Sequence, residues 1–162
     1  MDLYGLVETK LNALKIPFEV VDHPPALTTE EADSFIEGIE GVRTKSMFLT
    51  NKKKTAYYLL IIDDQKRLDM SKLKEITGEK RIKMASEDSL MEKMKLPAGV
   101  VSIFGLLNNE EKDIHVYFDK EITKKPRMSF HPNVNTKTIF LYTNDIFKYL
   151  ENIGFNYSII DI

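Results

Sequence analysis

The chain has 162 residues, 43% of them apolar with nine Phe and no Cys, and its 23 Lys and Arg against 25 Asp and Glu give a net charge of −2. That length predicts a single domain over 1–162 whose core needs no staples, and the lack of Cys excludes disulfides, thiolate metal sites and a thiol nucleophile. The charge balance excludes the broadly basic surface of a protein that wraps nucleic acid, and no apolar run nears the ~20 residues of a spanning helix. Met1-Asp2-Leu3-Tyr4 lacks the basic-then-apolar layout of a signal peptide, so a cytoplasmic protein without a membrane partner is expected.

Leu3, Leu6, Val7, Leu11 and Leu14 recur at helical spacing and predict an amphipathic helix that ends before Pro17. A short strand over 18–21 follows, stopped by the turn His23-Pro24-Pro25. Thr28-Thr29-Glu30-Glu31 has the capping-box pattern with Thr28 as N-cap, which predicts a short helix to about residue 36. Strands over 42–50 and 55–63 form a hairpin around Asn51-Lys52-Lys53-Lys54, whose lysines read as a solvated tip. Asp69 caps a helix over 70–77 that Gly78 ends, and a brief strand over 82–84 leads to a helix from Ser86 to about Met94. Pro97 and Gly99 then break the chain before the apolar segment 100–104. Strands are expected over 113–118, with His115 on the solvent face, and over 136–142. Thr143 is the expected cap of a last helix, and a strand over 157–160 closes the chain. Hairpins interspersed with helices predict an α+β fold around a mixed, largely antiparallel sheet.

None of the common phosphate-loop, dinucleotide, serine-elbow or zinc-protease patterns occurs. The three histidines, His23, His115 and His131, have separations that no local metal motif uses, so neither metal nor cofactor is expected. Three stretches stand out. The first is Thr44-Lys45-Ser46 at the start of a strand. The second runs from Leu96 to Leu106, where Gly99 and Gly105 frame an apolar segment and imply a sharp bend or a close backbone approach. The third is Phe130-His131-Pro132-Asn133-Val134-Asn135, an imidazole and two carboxamides at a rigid turn. Taken singly, Lys45 reads as a surface lysine and His131 as a turn residue.

In this order and spacing the stretches resemble a known family. His23-Pro24-Pro25, Thr28-x-Glu30-Glu31-Ala32 and Gly41-x-x-Thr44-Lys45-x-x-Phe48-Leu49 are similar to the YbaK/prolyl-tRNA-synthetase-associated editing domain. Pro97-x-Gly99-x-Val101-x-x-Phe104-Gly105-Leu106-x-Asn108 and Phe130-His131-Pro132-x-x-Asn135-x-x-Thr138 resemble its freestanding alanyl-tRNA(Pro) deacylase branch. The resemblance implies a sheet partly curled around a pocket, and hydrolysis of alanine wrongly attached to proline tRNA. It makes the aminoacylated acceptor end of tRNA the partner, with prolyl-tRNA synthetase as a second one.

By the same resemblance, Lys45 is the functional lysine. A cation there can hold substrate oxygens and stabilise a developing oxyanion. Gly99, Val100, Val101, Ser102 and Ile103 match the family's glycine loop, whose backbone faces the aminoacyl end, and His131 matches its pocket histidine. Thr44 and Ser46 flank the lysine, and Val21, Met47, Phe104 and Met128 are expected walls of a pocket that excludes the proline ring. Two positions depart from the family pattern: Ile103 where the loop has proline, and Ser46 where the alanine-editing branch has asparagine. They keep two other readings open: a module that senses proline or prolyl-tRNA without cleaving it, and a deacylase for another ester such as cysteinyl-tRNA(Pro).

Overall fold

The computed structural model describes residues 3–162. The elements follow as α1 (Leu3–Ala13), β1 (Glu19–Asp22), α2 (Thr29–Phe35), β2 (Val42–Asn51), β3 (Tyr57–Asp63), α3 (Met70–Thr77), β4 (Ile82–Met84) and α4 (Glu87–Met94). A 3-10 helix (Ile103–Asn108), β5 (Ile114–Asp119), α5 (Lys120–Thr123), β6 (Arg127–Phe130), β7 (Lys137–Tyr142), α6 (Thr143–Ile153) and β8 (Tyr157–Ile160) complete the chain. The fold is α+β, as expected.

Local chemistry explains the boundaries. Thr28, Asp69 and Ser86 each accept a hydrogen bond from the backbone N–H three residues on, satisfying one orphan donor of α2, α3 and α4. Thr143 differs from the expectation: it is already the first residue of α6, and its hydroxyl donates to the Lys125 carbonyl at 2.6 Å. The hydroxyl is used to tie α6 to the approach of β6, so it cannot cap its own helix. Sequence reading also missed α5, a single turn capped by Asp119, and β6, whose Met128, Ser129 and Phe130 are all buried and show no alternation.

The sheet has the order β1-β7-β6-β2-β3-β5-β8, with β4 paired to β2 alone. Pairs β1/β7, β6/β7, β2/β3 and β2/β4 are antiparallel; β2/β6, β3/β5 and β5/β8 are parallel. Strand alternation sends Phe48, Leu59 and Ile61 into a large core with Val7, Leu11, Phe104, Phe118 and Tyr149. Leu49, Tyr58, Leu60 and Ile62 point the other way, onto Leu73 of α3. Both faces of β3 are covered, which is why it reads as an unbroken apolar run. His115 is not a free solvent-face residue: it is half-buried, with Nε2 2.9 Å from Ser158 Oγ and its ring 4.5 Å from that of Tyr117. Burial holds its pKa below the ordinary histidine value.

Strand β2 is served unevenly along its two edges. On one edge β3 pairs with it from Thr44 to Thr50. On the other, β6 pairs only at Val42 and Arg43, and β4 only from Leu49 to Asn51. Between these two partners the edge of β2 over 44–48 has no neighbouring strand.

A candidate active site in a gap of the sheet

Specific hydrogen bonds hold the gap open at both ends. At one end Thr44 Oγ1 donates to the Ser129 carbonyl at 2.5 Å, and Ser129 Oγ donates to the Val42 carbonyl at 2.9 Å. At the other end the Phe48 carbonyl accepts from the Ala85 N–H at 2.9 Å. Backbone groups of successive strand residues point to opposite edges. Phe48 faces the β4 side, so Ser46, two residues earlier, directs its N–H and C=O into the gap, while Lys45 pairs with Ile62 on the β3 side.

A cavity of about 280 Å³ occupies this gap. Because no strand covers the edge, residues of both strand faces reach it, and Thr44, Lys45, Ser46 and Phe48 all line it. The glycine segment contributes Ala98, Gly99 and Val101, and the turn after β6 contributes Phe130 and His131. Ala32 and Asp33 of α2, Asp64, and Met84 and Ala85 at the end of β4 complete much of the wall. The structure therefore brings Thr44, Lys45, Ser46, Gly99, Val101 and His131 together. It does not bring Val21, Met47, Val100, Ser102, Ile103, Phe104 or Met128 to the lining. Met47 points to the opposite face, beside the second core, and Val21 pairs with Thr138 at the far edge of the sheet. Phe104 and Met128 are fully buried in the main core behind the cavity.

The glycine segment takes its shape from two different constraints. Gly99 has φ +96°, a left-handed conformation that side chains disfavour, and a Cβ there would meet open space. At Gly105 a Cβ would lie 2.7 Å from Leu96 Cδ1, so that glycine permits close packing. Ser102 caps the 3-10 helix by accepting from the Phe104 N–H at 3.1 Å. Tyr149 donates its hydroxyl to the Ile103 carbonyl at 3.1 Å, and Asn133 Nδ2 donates to the Phe104 carbonyl at 3.3 Å. These bonds pin the segment where the family's proline is replaced by Ile103.

Among the described residues the Lys45 ammonium makes no hydrogen bond or ion pair, although Asp33 and Asp64 line the same cavity. Burial holds the His131 pKa below its ordinary value, against the opposing effect of a hydrogen bond with the Lys137 backbone, and nearby His23 adds to the lowering. The imidazole is thus neutral near pH 7, and its buried Nδ1 has no hydrogen-bond partner. Asp33 is pushed up to about 7, first by burial and then by a shared hydrogen bond with Asp64 and the charges of Asp64 and Asp63; Arg43 opposes the shift. Arg43 also holds the turn after α2 against β2, donating to the carbonyls of Gly41, Ile36 and Ile39 at 2.9, 2.7 and 2.7 Å. Asp33 and Asp64 were not foreseen. The available signal was an acid set between Ala32 and Ile36 on the buried stripe of a short helix. Among the described residues no three His, Asp or Glu side chains converge as a metal site.

In chemical terms the cavity offers an unpaired ammonium, a neutral imidazole, a strand edge with a free N–H and C=O, and apolar walls. Such a set suits a small, polar, electrophilic group better than a large apolar ligand.

Comparison with known proteins identifies the family. The chain is 33% identical to the prolyl-tRNA editing protein ProX of Acetoanaerobium sticklandii, over 100% of this chain and 99% of that one. It is 29% identical to the prolyl-tRNA synthetase associated domain-containing protein 1 of Bos taurus, over 94% of this chain and 91% of the other. A crystal structure described as a candidate trans-editing enzyme for prolyl tRNA synthetase superposes with a TM-score of 0.76 at 18% identity, covering 100% and 98% of the two chains, and so shares the fold. The model of the aminoacyl-tRNA editing domain matches residues 23–149, and the chain belongs to that family.

Proposed function

We propose that the protein is a trans-acting deacylase that removes alanine from mischarged alanyl-tRNA(Pro). Editing of an aminoacyl-tRNA is hydrolysis of the ester between the amino acid and the terminal ribose. Water adds to the ester carbonyl carbon, the bond from that carbon to the ribose oxygen breaks, and the ribose oxygen takes a proton. The products are free alanine and tRNA with its terminal hydroxyl restored. The ester is already activated, so positioning of water and carbonyl carries much of the barrier reduction and no protein nucleophile is needed. In this reading Lys45 holds substrate oxygens and offsets the negative charge of the tetrahedral intermediate. The backbone at Gly99 and the Ser46 N–H are fixed before reaction and serve as oxyanion donors without reorganisation. Neutral His131 orients the aminoacyl end. Selection of alanine over proline follows the sieve logic of editing, with Ser46, Ala98 and Phe130 setting the room around the aminoacyl side chain.

The observation that carries this reading is the meeting of Lys45, Gly99 and His131 around one cavity in a chain of the editing family. Ser46 lines the same cavity, so the amino acid removed is tested across a panel of alanyl-, cysteinyl-, seryl- and prolyl-tRNA(Pro). The expected result is rapid hydrolysis of the alanyl ester and sparing of the prolyl ester. Lys45→Ala is expected to lose ~100-fold or more in kcat/KM with an unchanged melting temperature. Normal turnover by Lys45→Ala removes the lysine from its assigned role, and binding of every charged tRNA without cleavage turns the reading to a sensor of prolyl-tRNA.

A further inference from the structure

We propose that the β2–β3 hairpin tip and strand β4 form a basic track that docks the phosphate backbone of the RNA stem and leads its acylated end into the cavity. This inference rests on the deacylase reading for the identity of the RNA. Its surface lies outside the cavity. Lys52, Lys53 and Lys54 project from the tip, and Lys80, Arg81 and Lys83 lie on the segment that enters and forms β4; all are exposed. None of them takes part in an ion pair or a cation–π contact among the described residues. The acid among them, Glu79, accepts a hydrogen bond from the Tyr58 hydroxyl at 3.1 Å. On a chain of net charge −2, so many unneutralised cations on two adjoining segments make a local feature.

The tip is built rather than floppy. Asn51 is buried, and its side chain donates to Thr55 Oγ1 at 2.8 Å and accepts from the Thr55 N–H at 2.9 Å. Asn51 also pairs with Ile82, which sets the lysines directly beside Lys80 and Arg81. Between the two segments lies a groove of about 440 Å³, lined by Lys52, Lys53, Lys80 and Arg81 together with Asn51, Gly78 and the carboxylate of Glu79. From Arg81, β4 runs about 10 Å to Met84 at the strand rise of ~3.3 Å per residue, and Met84 and Ala85 belong to the cavity wall. Cations that begin at a groove and continue to Lys83, on the strand whose end joins the cavity wall, fit a polyanion whose reactive end lies beyond its duplex. Phosphate contacts position such a partner without reading its sequence.

The test uses the full chain, a proline tRNA transcript without amino acid, and the triple variant Lys52→Gln, Lys53→Gln, Arg81→Gln. A control variant, Lys120→Gln, Lys124→Gln, Lys148→Gln, removes the same charge from exposed positions elsewhere. The track variant should bind the transcript at least ~10-fold more weakly, and its salt slope should flatten by about three, one per phosphate contact removed. The control should stay within about twofold of the parent. In deacylation the track variant should raise KM for alanyl-tRNA(Pro) while cleaving alanyl-adenosine, which has no stem, at the parent rate. Transcript binding like the parent's, or equal loss in the control, overturns the track even where deacylation is normal. Loss of binding to phosphatidylserine vesicles with tRNA affinity intact also overturns it. Track-dependent tRNA binding by a protein that cleaves no ester keeps the track and removes the deacylase reading instead.

Discussion

Asp33 of α2 and Asp64, just past the end of β3, bring their carboxyl groups within hydrogen-bonding reach at the wall of the cavity that Lys45 also lines. Two carboxylates so placed cannot both be charged without cost, so the pair holds one proton in preference to two charges.

A dependence of stability on pH follows. The Asp33 pKa rises from 3.8 to about 7 on folding, chiefly through burial. Between those values the folded chain keeps a proton that the unfolded chain has released. The group's contribution is therefore fully present below 3.8 and is lost as pH climbs through about 7. Asn cannot ionise, and its amide can still donate to Asp64. Asp33→Asn should thus lose less melting temperature than the parent between pH 5 and pH 8. Parallel melting curves for parent and variant across that range would show that Asp33 does not titrate there.

Much of this fold was legible because it is written in local chemistry. The caps Thr28, Asp69 and Ser86 and the stop at Gly78 mark α2, α3 and α4 in the sequence and occupy those positions in the structure. Short elements set by tertiary contacts were not legible. Strand β6 has no alternation, since Met128, Ser129 and Phe130 are all buried between neighbours. The site was half legible for the same reason. Lys45, Gly99 and His131 stand in motifs, whereas Asp33 and Asp64 lie far apart in sequence and come together only through the tertiary fold. The proposed wall residues failed to reach the lining because that depends on which sheet edge lies open. Met47 has the wrong strand parity for the main core, and Lys45 shares its parity yet reaches the cavity across the uncovered edge.

Tyr149 tests how the glycine segment is held. Its ring is fully buried, and its hydroxyl is the donor to the Ile103 carbonyl. Tyr149→Phe keeps the packing but removes that tie between α6 and the segment, at a cost of about 0.5–1.5 kcal/mol. Chemical denaturation should read this loss with an unchanged m-value, and deacylation should slow through kcat as the loop backbone loosens. Stability equal to the parent's would mean that the hydrogen bond contributes nothing net.

The two glycines of the segment should both lose stability on substitution, but for different reasons. Gly99→Ala places a side chain at φ +96° with room to spare, a backbone cost of about 1–2 kcal/mol. Gly99→Asn should recover part of it, because asparagine tolerates left-handed backbone better than alanine. Gly105→Ala drives a Cβ to 2.7 Å from Leu96 Cδ1 and 3.3 Å from Met94 Sδ, both in fully buried side chains, at a cost of about 1–3 kcal/mol. Gly105→Val should be worse again. Denaturation midpoints of the four variants give the ordering, and a Gly99→Asn variant no better than Gly99→Ala would place the constraint in side-chain contact rather than in φ.

Outside the cavity lining, Lys66 and Asp119 give the sharpest prediction for stability. Asp119 is completely buried, its Oδ2 lies 2.7 Å from Lys66 Nζ, and Lys66 also donates to the carbonyl of Ile162. A buried carboxylate that loses its cation is left with an uncompensated desolvation penalty, typically about 3–5 kcal/mol. Lys66→Met should approach that loss, since the aliphatic stem is kept and the charge alone is removed. Asp119→Asn should lose less, because the half-exposed ammonium can turn to water while the amide oxygen still accepts from the Glu121 N–H, as Asp119 Oδ1 does at 3.3 Å. The double variant Lys66→Met, Asp119→Asn should be more stable than Lys66→Met alone, since it removes the orphaned charge. Additive losses in that cycle would show that the two side chains do not act as a pair.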